Sequence, residues 1–465
     1  MENGAVFQKS AWWSIFSLCV PSLASIVVMM LYNMADMYFV GWLDDYAQVA
    51  AVSLAGPVFS VLMGISTMIG NGGCTKIAQA LGADDLGRVR GCSALCVWVS
   101  IVSGAVFAVL CVIFCDPLLR FLGANAEMWY HTKSYILIMA LGAPVVLLNH
   151  SLGGALRGEG EVTAGLVGGM VSTLSNIVLD PIFILVLKLG AGGAAAATVL
   201  GNAIALGYYL IYKARSHDRC IIELRPRYAR DLRTLGGILA LGLPNAISSV
   251  LSGFAGTFGN RLLVGYGTQA VAAMGAAGKA AMVVSMVQMG VCMGVQPLLA
   301  YCCGGRDWLR LKEIVRKTLG LTVALGAALT AGLWLGRGRL IGLFIKDPAV
   351  AALGERLSSY LLLMGPFIGV YYFSTNLLQA SGSAAGASAT SALRQGLLLI
   401  PLLYLMDALF QMEGLALAHA AADGVSILAT AALALRCYGK LTKSTQKNEQ
   451  QSENAAMPAG QDDIS

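Results

Sequence analysis

Residues 23–43 read LASIVVMMLYNMADMYFVGWL and residues 165–187 read GLVGGMVSTLSNIVLDPIFILVL. Each run belongs to an apolar stretch long enough to cross about 30 Å of hydrocarbon at 1.5 Å per residue. Each also carries one deep carboxylate, Asp36 in the first and Asp180 in the second. A charge near the centre of a membrane helix costs about 2.5–3.5 kcal/mol on insertion scales, so such residues mark ion or substrate pathways. The fold and the candidate function both follow from these two stretches.

The composition fits a polytopic membrane protein. Of 465 residues, 57% are hydrophobic and only 12% charged, against about 25% charged in a soluble domain. The mean hydropathy is +0.71. Fifty-five glycines against twelve prolines suit close helix packing through small residues. The net charge of +6 does not indicate nucleic acid, because the basic residues gather in loops on one face. Eleven cysteines lie scattered through apolar spans without CxxC or His–Cys spacing, so they read as small buried hydrophobes rather than zinc ligands. The opening MENGAVFQKSAWW has no basic region leading into a short apolar core and cleavage site, so no removed signal peptide is expected.

The expected fold is an all-α polytopic membrane protein with twelve transmembrane helices in two pseudo-symmetric six-helix lobes. The spans are placed near 14–40, 50–81, 91–115, 129–153, 162–187, 190–213, 234–265, 270–300, 314–336, 355–380, 386–409 and 412–437. Loops on one side hold twenty Lys and Arg, from Lys9 through Arg88, Arg157 and Arg215 to Lys447. The other side holds five, namely Arg120, Lys188, Arg337, Arg339 and Lys346. This bias places both termini in the cytoplasm of a bacterial plasma membrane. The halves divide as an N-lobe over 1–213, a basic cytoplasmic linker over 214–233, a C-lobe over 234–437 and a disordered cytoplasmic tail over 438–465.

The halves repeat at an offset near 223: Pro21 matches Pro244, Gly82…Asp85 matches Gly304…Asp307, and Pro144 matches Pro366. Six spans per half is an even number, so both copies enter from the same side and the repeat is parallel. Transporters that rock one bundle against another share this architecture.

Within the first half, Asn33 and Asp36 are three apart and share a stripe with Ser22, Ser25 and Met29. Asn176 and Asp180 are four apart, on a stripe with Gly165, Gly169 and Ser172. Counted from the span ends, Asp36, Asp180 and Thr198 lie about four, seven and eight residues from the outer face, at similar depth. Carboxylates, an amide and a hydroxyl are the oxygen-rich set that a hard cation such as Na⁺ needs. The same acids can hold a proton instead, since desolvation and a like-charged neighbour both raise a carboxyl pKa. An offset of 224 carries Asp36 to Asn260 and Asp180 to Tyr404, so the acid pair belongs to the first half alone. The second half is then expected to serve substrate binding or gating. The residues proposed to line a substrate cavity are Asn33, Met29, Asn260, Met286, Gln379 and Arg394. Lys279, His419 and Asp423 are further polar residues inside spans, with Lys279 and Asp423 a candidate structural pair. The run Arg157-Gly158-Glu159-Gly160-Glu161 is assigned to a loop that sets turns and salt bridges.

Four stretches carry a resemblance to a known family: NMADMYFVG in span 1, LGGALRGEGEVTAG…STLSNIVLDPIFIL over spans 4–5, MGVQPLLAYCCGGRDWLRLKEIVRKTL at the end of span 8, and QASGSAAGASATSALRQGLLLIP over spans 10–11. The chain resembles the multidrug and toxic-compound extrusion (MATE) family over residues 10–437, and within it the bacterial members with an acidic residue in helix 1. The resemblance implies two six-helix lobes forming a V and export of organic cations or other amphipathic compounds against H⁺ or Na⁺ entry. It also implies a first-lobe cation site at positions matching Asp36, Asn176, Asp180 and Thr198. Two departures stand out. Helix 7 reads GTFGNRLLVGYG without the acidic residue of some members, which speaks against a second-lobe cation site. Cys302-Cys303-Gly304 replaces the usual Asn-Tyr-Gly.

The rival readings are weaker. A lipid or oligosaccharide flippase of the same broad superfamily needs several cavity cations, and only Arg394, Lys279 and Arg261 qualify. An enzyme needs a nucleophile–base or metal constellation, and the four His residues are widely scattered. There is no GxxxxGK[ST] phosphate loop. No cofactor is expected beyond the coupling ion, H⁺ or Na⁺. The expected partners are small amphipathic or cationic substrates and membrane lipid, with no nucleic acid and a monomeric chain.

Overall fold

The computed structural model describes residues 5–41, 46–216, 220–229, 231–345 and 347–456. The side chains of 5, 32–47, 49–50, 185, 344 and 440–456 lie outside the described residues. Among the described residues every regular element is helical. In hydrocarbon an unpaired backbone group costs several kcal/mol, and a helix satisfies its own ladder.

Nine long helices cross singly: α1 (Ala11–Gly41), α2 (Tyr46–Gly82), α3 (Leu86–Ile113), α4 (Ala126–Gly158), α5 (Val162–Pro181), α6 (Gly190–Arg215), α7 (Leu232–Val264), α8 (Thr268–Gly304) and α9 (Trp308–Leu335). The tenth crossing, α10, is two pieces, Pro348–Leu361 and Ile368–Ala380. Between them the chain turns at Gly365-Pro366, where proline offers no N–H to continue the ladder. Helix α11 starts as Ala384–Ala392 and passes through a widened turn, Leu393–Leu398. The last element, Leu399–Ala456, reverses at Gln411 (φ 53°, ψ −137°), so it completes α11 and supplies α12. These are the twelve expected crossings.

The backbone of the last helix continues past 437 to Ala456. The run KLTKSTQKNEQQSENAA is rich in Lys, Gln, Glu and Ala and holds no Pro or Gly to end the helix.

The repeat reaches the backbone. Asp84 and Arg306 both adopt φ 55°. The next residue in each half, Asp85 or Asp307, caps the following helix by accepting from the N–H of Arg88 or Arg310 at 3.0 Å. The lipid-facing surface is apolar; Val102, Val106 and Val109 of α3 are each more than half exposed and share one helix face.

The lobes meet through glycine at the end that carries the basic loops. A Cβ on Gly72 of α2 would strike the Ile238 carbonyl of α7, and one on Gly242 would strike the Met68 carbonyl. A pseudo-twofold pair follows, with Gly82 against the Tyr301 carbonyl and Gly304 against the Gln79 carbonyl. Gln79 Nε2 donates to the Ala380 carbonyl at 2.8 Å, and Gln296 Nε2 donates to Thr75 Oγ1 at 3.1 Å. Arg310 of α9 adds a hydrogen bond to the Gln8 carbonyl at 3.3 Å.

Gly242→Ala is expected to lower the melting temperature of the detergent-solubilised protein, since overpacking costs about 1–3 kcal/mol. Gly236→Ala, which faces open space, should leave it unchanged or raise it by the helix-propensity gain of up to about 1 kcal/mol. Equal behaviour of the two variants would show that the seam is not close-packed.

Candidate ion and substrate cavity

Helices α4, α5 and α6 supply most of the lining of a cavity of about 440 Å³, with Met29 of α1, Phe59 and Met63 of α2 and Met293 of α8 also on its wall. Asn176 and Asp180 are 5% and 1% exposed. They sit one turn apart, so one face of α5 presents both. Across from them, Thr198 approaches from α6. With the Asn176 amide turned to suit both neighbours, Nδ2 donates to Asp180 Oδ2 at 2.9 Å and Oδ1 accepts from the Thr198 hydroxyl at 3.2 Å. The amide thus bridges acid and hydroxyl, and three of the four expected coupling residues form one connected group.

Just past Asp180 comes Pro181, and the helix widens into a π turn over Ile182–Val186. Proline removes one ladder bond there, and widened turns of this kind are frequent at functional sites.

Asp36 and Asn33 lie in α1, but their side chains lie outside the described residues. The other expected cavity residues scatter. Met29 lines the first-lobe cavity. Met286 is half-buried on α8 and Asn260 is exposed on α7. Gln379 is instead 1% exposed, accepting from Gln296 Nε2 at 3.0 Å in the polar contact that joins the lobes. Its oxygen is held by Gln296, and it is absent from the linings of both lobe cavities. Arg394 lies in the second lobe, its Nε donating to Asp423 Oδ1 at 2.7 Å. That bond replaces the expected pairing of Asp423 with Lys279.

The sequence reading missed the deeper part of the cavity. Asn202 Nδ2 donates to the Thr198 carbonyl at 2.8 Å, and Asn149 Nδ2 donates to Asn202 Oδ1 at 2.8 Å. Arg157 was assigned to a loop but stands on the cavity wall, 7% exposed. Its Nη2 donates to Asn71 Oδ1 at 3.2 Å and its Nε to the Gly153 carbonyl at 3.3 Å. A signal was present: Asn149, Gly153 and Arg157 recur at four-residue steps on α4, as do Ala194, Thr198 and Asn202 on α6. Polar lining therefore extends from Asn176 and Thr198 through Asn202 and Asn149 to Arg157, and Asp180 lies behind Asn176.

Glu159 follows α4 and is 2% exposed, accepting from the Ile221 N–H at 3.1 Å. It ties the linker to the first lobe, as does Trp98 Nε1 donating to the Leu224 carbonyl at 3.0 Å. Burial pushes the Glu159 carboxyl up to about 8, while the Ile221 N–H pulls it down.

Two six-helix lobes, a glycine seam at one end and an acid–amide–hydroxyl cluster inside one lobe define an integral membrane transporter. The MatE family model matches residues 21–182 and again 244–405. The chain belongs to this family of efflux transporters. Over 438 residues it is 30% identical to the multidrug export protein MepA of Staphylococcus saprophyticus, covering 94% of this chain and 96% of that protein. It is 29% identical to the MepA of Staphylococcus aureus over 444 residues, with coverages of 95% and 97%. Among solved structures, a MATE transporter in complex with MaL6 superposes with a TM-score of 0.89 at 21% identity, over 95% of this chain and all of that one. The outward-facing form of a multidrug resistance MATE family transporter gives the same TM-score and identity over 95% of this chain and 99% of that one. At 21% identity these two show the fold alone.

A raised pKa for Glu159 means that the folded protein keeps a proton that the unfolded chain loses above about 4.5. Its contribution to stability is therefore greatest below that pH and declines up to about pH 8. Glu159→Gln is expected to flatten the fall in melting temperature between those pH values. An unchanged pH profile in the variant would show that this carboxyl does not carry the linkage.

Proposed function

We propose that the chain is a secondary active multidrug antiporter, exporting organic cations or amphipathic compounds in exchange for H⁺ or Na⁺ by alternating access. The observation that carries the reading is Asp180, 1% exposed and held by Asn176, which together with Thr198 lines a 440 Å³ cavity. A buried carboxylate at that depth is costly without a cation or proton to neutralise it. The resemblance in sequence to proteins named for multidrug export supports the cargo class.

In this reading the termini and the glycine seam face the cytoplasm, which the bias of basic residues in the loops supports. With the seam closed, the lobes then present their cavity to the outside. Asp36 on α1 joins Asp180, Asn176 and Thr198 in holding the coupling ion. Occupancy of this group favours one packing of α1 against α5 and releases cargo outward. Loss of the ion inward, after cargo binds from the cytoplasm, resets the lobes. A membrane potential supplies about 2.3 kcal/mol per charge per 100 mV. In this scheme the first six helices carry the ion and the second six serve cargo and gating, within a monomer.

Asp180→Asn and Asp36→Asn are each expected to abolish ethidium efflux from cells lacking their own pumps while the protein stays in the membrane. Efflux by the unaltered protein that persists without Na⁺ and collapses with a protonophore assigns H⁺; efflux that needs Na⁺ assigns sodium. Full efflux by either variant would remove the acids from the mechanism.

A further inference from the structure

The second lobe holds its own polar cavity, of about 160 Å³, whose lining repeats the first. Ser252, Gln395 and Leu399 line it. Subtracting the 223 that separates the two family matches gives Met29, Ser172 and Asn176, all lining the first-lobe cavity. Ala422 falls on Thr198 at an offset of 224, and both line their cavities. The helix trio α7, α11 and α12 therefore frames a duplicated site.

Its chemistry has changed. Leu399 and Ala422 stand where the first copy has Asn176 and Thr198, so the oxygen cluster for a small cation is gone. In its place is the ion pair Arg394–Asp423, with side chains 12% and 24% exposed. Arg394 sits in the π turn Leu393–Leu398, and its guanidinium carbon lies 4.7 Å from the Tyr371 ring centre. Among the described residues, Nε to Asp423 is the one hydrogen bond that Arg394 makes, which leaves both terminal amino groups unused. Asp423 likewise uses only Oδ1, and His419 lines the same space. An ion pair at mid-membrane is no better for stability than well-packed apolar residues, so stability does not explain it.

The site is dipolar and, with His419 neutral, carries no net charge. A simple cation drawn to Asp423 meets the charge of Arg394, and a simple anion drawn to Arg394 meets Asp423. A head group carrying both charges completes both partners at once. We propose that this cavity binds the zwitterionic head of an amphipathic ligand, its carboxylate or phosphate on Arg394 and its ammonium on Asp423. At about 160 Å³ the cavity holds several waters, which suits a head group with the tail lying outside. The inference rests on the export reading only in taking the occupant to be cargo. The head group can belong to a dissolved amphiphile or to a zwitterionic phospholipid.

Binding to the full chain in phosphatidylglycerol nanodiscs tests this with three dansyl-alkyl probes that differ only in the head: a carboxybetaine, a trimethylammonium and a carboxylate. The betaine is expected to bind at least tenfold more tightly than either singly charged probe. Arg394→Met and Asp423→Asn should each erase that preference. Ser252→Phe, which fills the cavity while leaving both charged residues in the chain, should weaken the betaine tenfold with the melting temperature unchanged. This variant separates site loss from misfolding. Equal affinity for the three heads, or a betaine affinity indifferent to Ser252→Phe, overturns the proposal. Weaker betaine binding in phosphatidylethanolamine discs identifies a lipid head as a competitor for the site, and unchanged binding assigns the site to the dissolved amphiphile; both keep its chemistry. Because the readout is binding, absent efflux with the preference intact would count against the export reading alone.

Discussion

Hydrocarbon offers no hydrogen bonds, and this constraint orders the whole molecule. The chain crosses as helices because a helix closes its own backbone ladder. Two of its departures from regular helix fall at prolines, at Gly365-Pro366 in α10 and after Pro181 in α5. The same constraint falls on side chains: Asp180 is held by Asn176, and Arg394 is held by Asp423.

The crossings were legible in the sequence because each is a local property, a run of apolar residues long enough to span the bilayer. The grouping of Asn176, Asp180 and Thr198 was legible for a related reason. Four-residue spacing fixes the face of α5, and equal depth from the membrane edge brings α6 level with it. What could not be read was which faces of distant helices meet. Arg157 looked like a loop residue because it precedes Gly158 and Gly160; tertiary packing extends α4 past it and turns it onto the cavity wall. Gln379 looked like a cavity residue, yet the seam buries it against Gln296. Asp423 had two cationic candidates within the spans, and only the packing of α11 on α12 selects Arg394.

A transporter needs a seam that holds and also releases. Glycine contacts bring backbones within van der Waals distance without interlocking side chains, so separation leaves no large cavity behind. The hydrogen bonds laid over them, from Gln79 to Ala380 and from Gln296 to Thr75, are each worth about 1 kcal/mol. A handful of such terms gives a closed end whose free energy is comparable with what an ion binding in one lobe can supply. Population shifts from one arrangement to the other require about 5.5 kcal/mol of differential binding, which is within reach of a seam built this way. A leucine zipper at the same place would hold too well.

The duplicated frame gives each half a cavity. In both copies the first, fifth and sixth helix of the lobe contribute lining at matching positions, and in the first copy α2 and α4 line it as well. What distinguishes them is a few residues at matching positions: Asn176 and Thr198 against Leu399 and Ala422. Losing the amide and hydroxyl takes away the ligands of a small cation, and gaining Arg394 opposite Asp423 makes the second cavity dipolar. Two cavities with different charge do not compete for the same occupant. In the proposed exchange, an ion in one and cargo in the other would meet only through the packing of the lobes, which is the coupling that exchange requires.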